Sequence, residues 1–538
     1  MASEQAKDPG GGQGTGGEYE RERVPEGALL GFKSFLGMYA GEHCAGTELM
    51  IGPLFVAAGV SAFDVVAGLI AGNALAVLSW LLLCAPIATR ARLTLYYQLE
   101  KICGRKLATL YNLANGVMFC FLAGAMVTVS ATAVGVWFDF RMPALDDVYP
   151  NSVGWVAAVA VVGLLFALVA AYGYETLARF ANIAAPWMLL VFLAFGMVGL
   201  RQFIVATGAE IHGAGDLWGL AKTYIWRGGD PLPGQVKFGF WHVAFFAWFC
   251  NMAMHIGMSD LSVLRFAKKS WYAVASGAGM YLGHFMAWLC ASVLYAYQLH
   301  LDPKDTKVLP GPLAYRAAGL AGLLCVILAG WTTANPTIYR AGLAFQAIRP
   351  RWPRFAVTLA AGGLATLAGM FPAIAMKLLG FVALYGMLLM PMGAVVFMDF
   401  WLMRRLGLKS SYAEASGTSF NWAAGLAWLA TLATCLWLVQ TGRVQIYFVS
   451  LPGWFCAAVL YVVLSALYQR RFLERAGARA AARVLGYASL VATVGLAGLF
   501  LGGRMGLEQS QRYMLAATAV WFVAATVWMW QGERGEKR

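Results

Sequence analysis

The chain has 538 residues, of which 60% are hydrophobic and 12% charged, about half the charged share of an ordinary soluble domain. With a mean hydropathy of +0.65, it carries more apolar surface than a soluble fold of this size hides. Disorder, a collagen-like chain and a small disulfide scaffold are excluded, and a multi-span membrane protein remains. The formal charge of +14 would suit nucleic acid, but Lys and Arg gathered in cytoplasmic loops account for it in such a protein.

Residues 1–27 are Gly-rich and polar (GGGQGTGG), which reads as a disordered cytoplasmic tail and not as a signal peptide. Fourteen apolar stretches follow, taken as spans 1 to 14: 29–60, 63–88, 107–138, 152–172, 182–206, 238–258, 271–298, 313–347, 355–371, 373–403, 421–440, 445–467, 484–502 and 513–531. The expected organisation is a ten-span core over 28–405, four peripheral C-terminal spans over 406–532, and a cytoplasmic tail at 533–538. The loops after even-numbered spans hold most of the Lys and Arg, which places both termini in the cytoplasm of an inner-membrane protein. Nine scattered cysteines form no CxxC pair and read as packed thiols.

Span 1 carries Gly41, Glu42, His43, Gly46, Thr47 and Glu48 at its centre, then Gly52 and Pro53. Carboxylates at membrane depth are costly unless paired or wetted, and the glycines allow unwinding beside a cavity. Glu42, His43 and Glu48 are therefore candidates for proton coupling, with a Glu–His43 pair as the structural alternative. Between spans 5 and 6 the segment 207–237 is long and Gly/Pro-rich, a lid or, more simply, a surface loop. Span 6 is interrupted in the same manner as span 1, at Asn251, His255, Gly257, Ser259 and Asp260. Two broken helices five spans apart match the inverted repeats of secondary transporters, whose substrate and ion sites sit at the breaks. His242, His255 and His284 read as structural hydrogen-bonding groups. In span 8, Thr332 and Thr333 offer hydroxyl oxygens, Pro336 predicts a kink, and Arg340 is expected to snorkel to the inner interface. Asp399 and Arg404 are expected to cap the cytoplasmic end of span 10.

Several stretches, in their order along the chain, resemble the nucleobase–cation symporter family of cytosine, purine and hydantoin permeases. They are GLIAGNALAV at 68–77, the segment from Arg90 with Cys103-Gly104, SDLSVLRFAKK at 259–269, GWTTANPTIYRAGLAF at 330–345, and span 10 with Pro391, Gly393, Asp399, Phe400 and Arg404. The resemblance implies an all-α, LeuT-like five-plus-five bundle with additional C-terminal helices. It implies symport of a small polar solute, a nucleobase or related N-heterocycle, coupled to sodium or protons. The sodium site it implies uses Ala329, Thr332 and Thr333 with span 1 carbonyls near Cys44, Ala45 and Gly46. The substrate site it implies falls on Gly46, Glu48, Phe121, Trp248, Asn251 and Asn335. In span 3 the family's pocket Trp falls on Leu122, with Phe121 the nearest aromatic.

The same fold carrying an amino acid, osmolyte or other metabolite, or acting as a transporter-like sensor or channel, stays open as an alternative. No HExxH, GxSxG or Walker A motif is present, so no enzyme and no resident cofactor are expected. The expected partners are a small-molecule substrate and the lipid bilayer, with no nucleic acid; the sequence assigns no oligomeric state.

Overall fold

A computed structural model describes residues 18–144, 147–373 and 378–469, with isolated positions between 495 and 521. Among the described residues, nine helices are long and apolar enough to cross a membrane, and three shorter apolar helices accompany them. The protein is a multi-pass membrane protein. Spans 13 and 14 fall largely outside the described residues.

Two of the shorter helices mark the breaks. Span 1 is two half-helices, Lys33–Glu42 and Glu48–Ala57, with residues 43–47 non-helical between them. Span 6 runs as Phe240–Phe249, stops at Cys250 and Asn251, makes one turn at Met252–His255, and turns again at Leu261–Leu264. Met258 takes φ +67° inside that second interruption, a conformation that non-glycine residues rarely hold. The third short helix is span 9, Arg354–Gly369. The remaining core spans are span 2 Ala62–Ala91, span 3 Arg105–Phe138, span 4 Val153–Ala171, span 5 Tyr174–Thr207, span 7 Ser270–Leu301, span 8 Pro310–Ile348 and span 10 Val382–Leu406. Spans 11 and 12 are Trp422–Gln440 and Ile446–Gln469. A separate helix, Leu95–Cys103, lies between spans 2 and 3. Its N-terminus is capped by Thr94, whose hydroxyl accepts from the Tyr97 amide at 3.2 Å.

The packing carries the repeat that the sequence conceals. Span 1 packs on span 7, and span 6 on span 2; span 1 packs on span 5, and span 6 on span 10; span 3 packs on span 9, and span 8 on span 4. Adding or subtracting five turns the first member of each pairing into the second. Small residues permit the close approaches. Gly52 faces the Trp288 carbonyl, Gly72 the Ala244 carbonyl, Gly330 the Ser130 hydroxyl, and Gly393 the Ile256 carbonyl, so a Cβ at any of them would collide.

Span 8 departs from expectation. Its non-helical residues are Ala318 and Gly319 (φ +55°), not the turn around Pro336. The bend goes where glycine tolerates a left-handed backbone at no steric cost, while Pro336 is held in the buried, packed part of the helix. The 207–237 segment is tied down: its backbone bonds with Ala57, Val60 and Ala62 across the end of span 1 and the start of span 2. All nine cysteines are free thiols.

Candidate functional site

The break in span 1 leaves the last carbonyls of Lys33–Glu42 without intrahelical partners. Two of them meet the threonine pair of span 8. The Thr332 hydroxyl lies 2.8 Å from the Gly41 carbonyl and 3.2 Å from that of Ala329. The Thr333 hydroxyl lies 2.8 Å from the Glu42 carbonyl and 3.0 Å from that of Ala329. Each hydroxyl has one proton and several acceptors, so three carbonyl and two hydroxyl oxygens crowd together. Oxygen-rich surroundings suit a small hard cation, although the Met188 sulfur also lies 3.9 Å from the Thr332 hydroxyl, and the negative end of the half-helix dipole points the same way. The span 1 carbonyls in contact with the pair are those of Gly41 and Glu42; Cys44, Ala45 and Gly46 lie just beyond. Gly46 is packed against Val129 of span 3 and the Val326 carbonyl of span 8.

Beside this oxygen cluster is a central cavity of about 50 Å³. Its polar lining includes Glu48, Asn251, His284, Thr333, Thr337 and Tyr385. Leu122, Met126, Met254 and Val382 supply apolar walls. Glu48 opens the second half-helix, where the positive dipole end favours a carboxylate. The Trp288 indole N–H donates to its Oε2, and His284 Nε2 stands 3.6 Å from its Oε1. The His284 ring stacks on Trp288 at 4.3 Å and meets the His43 ring edge-on at 5.1 Å. Asn251 Nδ2 lies 3.4 Å from His284 Nε2.

Glu42 has a different partner. Arg340 Nη1 donates to Glu42 Oε1 at 2.5 Å, and Nη2 donates to Asp260 Oδ1 at 2.6 Å. Arg340 and Asp260 are fully buried. Asp260 Oδ2 accepts from the Tyr39 hydroxyl at 2.8 Å and the Trp80 indole at 2.6 Å. The Tyr96 hydroxyl donates to the Arg340 carbonyl at 2.9 Å. Spans 1, 2, 6 and 8 and the Leu95–Cys103 helix thus meet in one ion-paired plug, one turn beyond Thr337 toward the end bearing the basic loops. Arg340 does not snorkel, because two buried carboxylates hold it inside. The Glu–His43 pair does not form either: His43 Nδ1 bonds the Tyr39 carbonyl at 2.8 Å.

Of the residues singled out in the sequence, Glu42, Glu48 and Asn251 line the cavity, with Ala45, Thr47 and Thr333 beside them. Phe121 is 37% exposed on the outer side of span 3, and Leu122 takes the inward position. Trp248 is buried against span 2, its indole donating to Ser79 Oγ at 3.0 Å. Asn335 is buried away from the cavity lining, on the opposite side of span 8 from Thr333 and Thr337. His255 bonds the Trp248 carbonyl at 3.0 Å, as a structural histidine would. His284, read as structural, lines the cavity. Its signal was its place in span 7, the helix packed on the second half of span 1. Asp399 is buried and accepts from Tyr461, Ser410 and the Ser411 amide.

No protein-family model matches the chain, and no curated protein matches it. Solved structures do. Mhp1, a nucleobase-cation-symport-1 family transporter closed on bromovinylhydantoin, gives a TM-score of 0.62 at 14% identity, covering 84% of this chain and 96% of that one. A substrate-bound, outward-open Na+-coupled sialic acid symporter gives 0.59 at 13%, covering 84% and 92%. MhsT in complex with L-phenylalanine gives 0.50 at 16%, covering 80% and 98%. Similarity at these identities is one of architecture, and with the paired breaks and the five-span repeat it gives the conclusion that the chain has the LeuT-like five-plus-five fold.

Proposed function

We propose that the protein is a secondary active transporter of the inner membrane that couples a cation to symport of a small polar solute by alternating access. The observation that carries this reading is the gathering of five oxygens, from the broken end of span 1 and the Thr332–Thr333 turn of span 8, directly beside a cavity with an acid at its wall. The fold shared with a Na+-coupled symporter supports it. The basic loops support a cytoplasmic position for both termini. Sodium binds among the five oxygens and draws spans 1 and 8 together. The solute then binds against Glu48, Asn251 and His284, and the Glu42–Arg340–Asp260 plug must open for release on the basic side.

Glu48 accepts hydrogen bonds and has only neutral partners, so the solute presents N–H donors or a cationic group to it. A nucleobase or related N-heterocycle does so, and the likeness to Mhp1 supports that class. Leu122 and Met126 stand where aromatic stacking walls would be needed, which favours as a second reading an amino-bearing solute. Proton coupling through Glu48 is the second reading for the ion, because its neutral surroundings accommodate the protonated acid.

The test is uptake into proteoliposomes of radiolabelled nucleobases, hydantoins and amino acids under an inward sodium gradient. The reading expects one class to accumulate and the accumulation to vanish when the gradient is dissipated. Binding without counterflow would make the protein a sensor, and non-saturating flux a channel.

A further inference from the structure

A hollow of about 370 Å³ lies at the end of the molecule opposite the basic loops. Its walls come from the end of span 1 at Val56 and Gly59, from the 207–237 segment, and from the end of span 7 at Leu299 and His300. Arg227 and Asp230 of the segment both line it. They carry opposite charges close together in the chain, yet they form no ion pair with each other, and among the described residues neither side chain has another hydrogen-bond or ion-pair partner. Tyr224 and His300 supply a corner of rings: their centroids lie 6.0 Å apart with the planes at 89°, and Phe203 packs on the His300 ring at 5.6 Å.

Charges on a surface loop ordinarily stay in water, and loops of this kind carry function when a rigid scaffold positions them. The turn that presents Arg227 and Asp230 is positioned in this way. Gly228 (φ +73°) and Gly229 (φ +84°) between them take the left-handed backbone that glycine tolerates. The Gly228 amide donates to the Val60 carbonyl at 3.2 Å, and the Leu232 amide to the Ala57 carbonyl at 2.8 Å. The Lys237 ammonium donates to the carbonyls of Gly59 and Gly229, so it fastens the turn to span 1 instead of answering Asp230. Beyond span 7, the Asp302 carboxylate accepts from the Lys304 amide at 2.9 Å and does not answer Arg227.

We propose that this hollow binds a small zwitterion with an apolar side chain, of the α-amino acid class. The Arg227 guanidinium fork matches a carboxylate in paired bonds, and the Asp230 carboxylate accepts from an ammonium. A ligand with a single charge would leave one of the two groups unanswered. Val56, Leu232, Leu299 and the ring corner offer an apolar wall to the side chain, and the volume falls in the range of ligand-sized sites. The site is separate from the central cavity: Val56 and Glu48 lie near opposite ends of one half-helix, about 12 Å apart at the usual rise per residue. Bound there, the zwitterion ties the second half of span 1 to span 7 and to the 207–237 segment. The proposal does not depend on the transport reading.

The experiment uses the full chain purified in a non-ionic detergent at low salt. Binding is measured by titration calorimetry with L-leucine, with leucinamide, which lacks the carboxylate, and with 4-methylpentanoate, which lacks the ammonium. The proposal expects leucine to bind and each analogue to bind at least about tenfold more weakly. R227Q and D230N each remove one exposed charge. R227Q is expected to weaken leucine to the level of leucinamide and to leave leucinamide itself unchanged. D230N is expected to weaken leucine to the level of 4-methylpentanoate and to leave that analogue unchanged. A merely structural role would weaken all three probes together. R227K, which keeps the charge and loses the fork, is expected to bind leucine with intermediate affinity and covers the case of a poorly folded R227Q chain. E210Q, at the other end of the same segment, leaves every affinity as it is. Absence of leucine binding by the wild type, equal leucine affinity in the wild type, R227Q and D230N, or binding that E48Q alone abolishes overturns the proposal.

Discussion

Two glutamates six residues apart in span 1 stand in opposite electrostatic situations. Glu42 closes the first half-helix and shares the fully buried Arg340 with Asp260. Glu48 opens the second half-helix and meets an indole, an imidazole and the cavity that Glu42 also borders. The first has a fixed countercharge, the second none. A buried charge with a permanent partner belongs to the architecture, and separating the pair is costly. A buried acid with neutral neighbours is completed by something that comes and goes, a solute or a proton. The interruption between them lets one stretch of chain serve both ends.

The largest way to break this contrast is Arg340→Gln. It strands two carboxylates in the bundle and is expected to cost about 3–5 kcal/mol, read as a steep fall in the detergent unfolding midpoint. Replacing the whole set, E42Q/D260N/R340M, is expected to recover much of that loss; a single variant as stable as the wild type would show that the plug holds nothing. Glu48→Gln works in the other direction. It should cut uptake at least about tenfold, about 1.4 kcal/mol, while the unfolding midpoint stays near the wild-type value, because the amide oxygen still accepts from Trp288. Unchanged uptake would assign Glu48 to the architecture beside Glu42. Thr333→Ala removes one of the five oxygens and should raise the half-saturating sodium concentration by about tenfold. The smallest effect is expected at Arg21→Gln. Its paired bonds to Glu100, 2.6 and 2.7 Å long, hold the guanidinium pKa above its usual value, but the Arg21 side chain is 35% exposed. Screened pairs of this kind contribute below about 1 kcal/mol, and the difference should disappear in high salt.

Much of the fold was legible because membrane depth makes polar residues conspicuous. Glycines and acids inside apolar runs marked the breaks in spans 1 and 6, and the Thr332–Thr333 pair pointed at oxygen ligands. What was not legible was rotational register. Phe121 and Leu122 differ by one position, which is about 100° around a helix, and only packing decides which of them faces the cavity. Arg340 looked like an interface residue because it is near the end of span 8. It lies two turns after Thr333 and so on the same face, a signal that pointed to span 1 and not to lipid. Pro336 marked a bend that Gly319 takes instead, since local propensity does not reveal which turn the neighbours hold straight. The internal repeat showed only in the five-span spacing of the two breaks, because it resides in which helices touch and not in which residues recur.

The most direct test of cation coupling at the span 1 break needs no knowledge of the solute. The unfolding midpoint of the purified chain is measured in sodium chloride and in potassium chloride at equal ionic strength, for the wild type and for Thr333→Ala. The account predicts that sodium stabilises the wild type as a ligand bound to the folded state does and that the variant loses the difference. Identical midpoints in the two salts for the wild-type chain would contradict it.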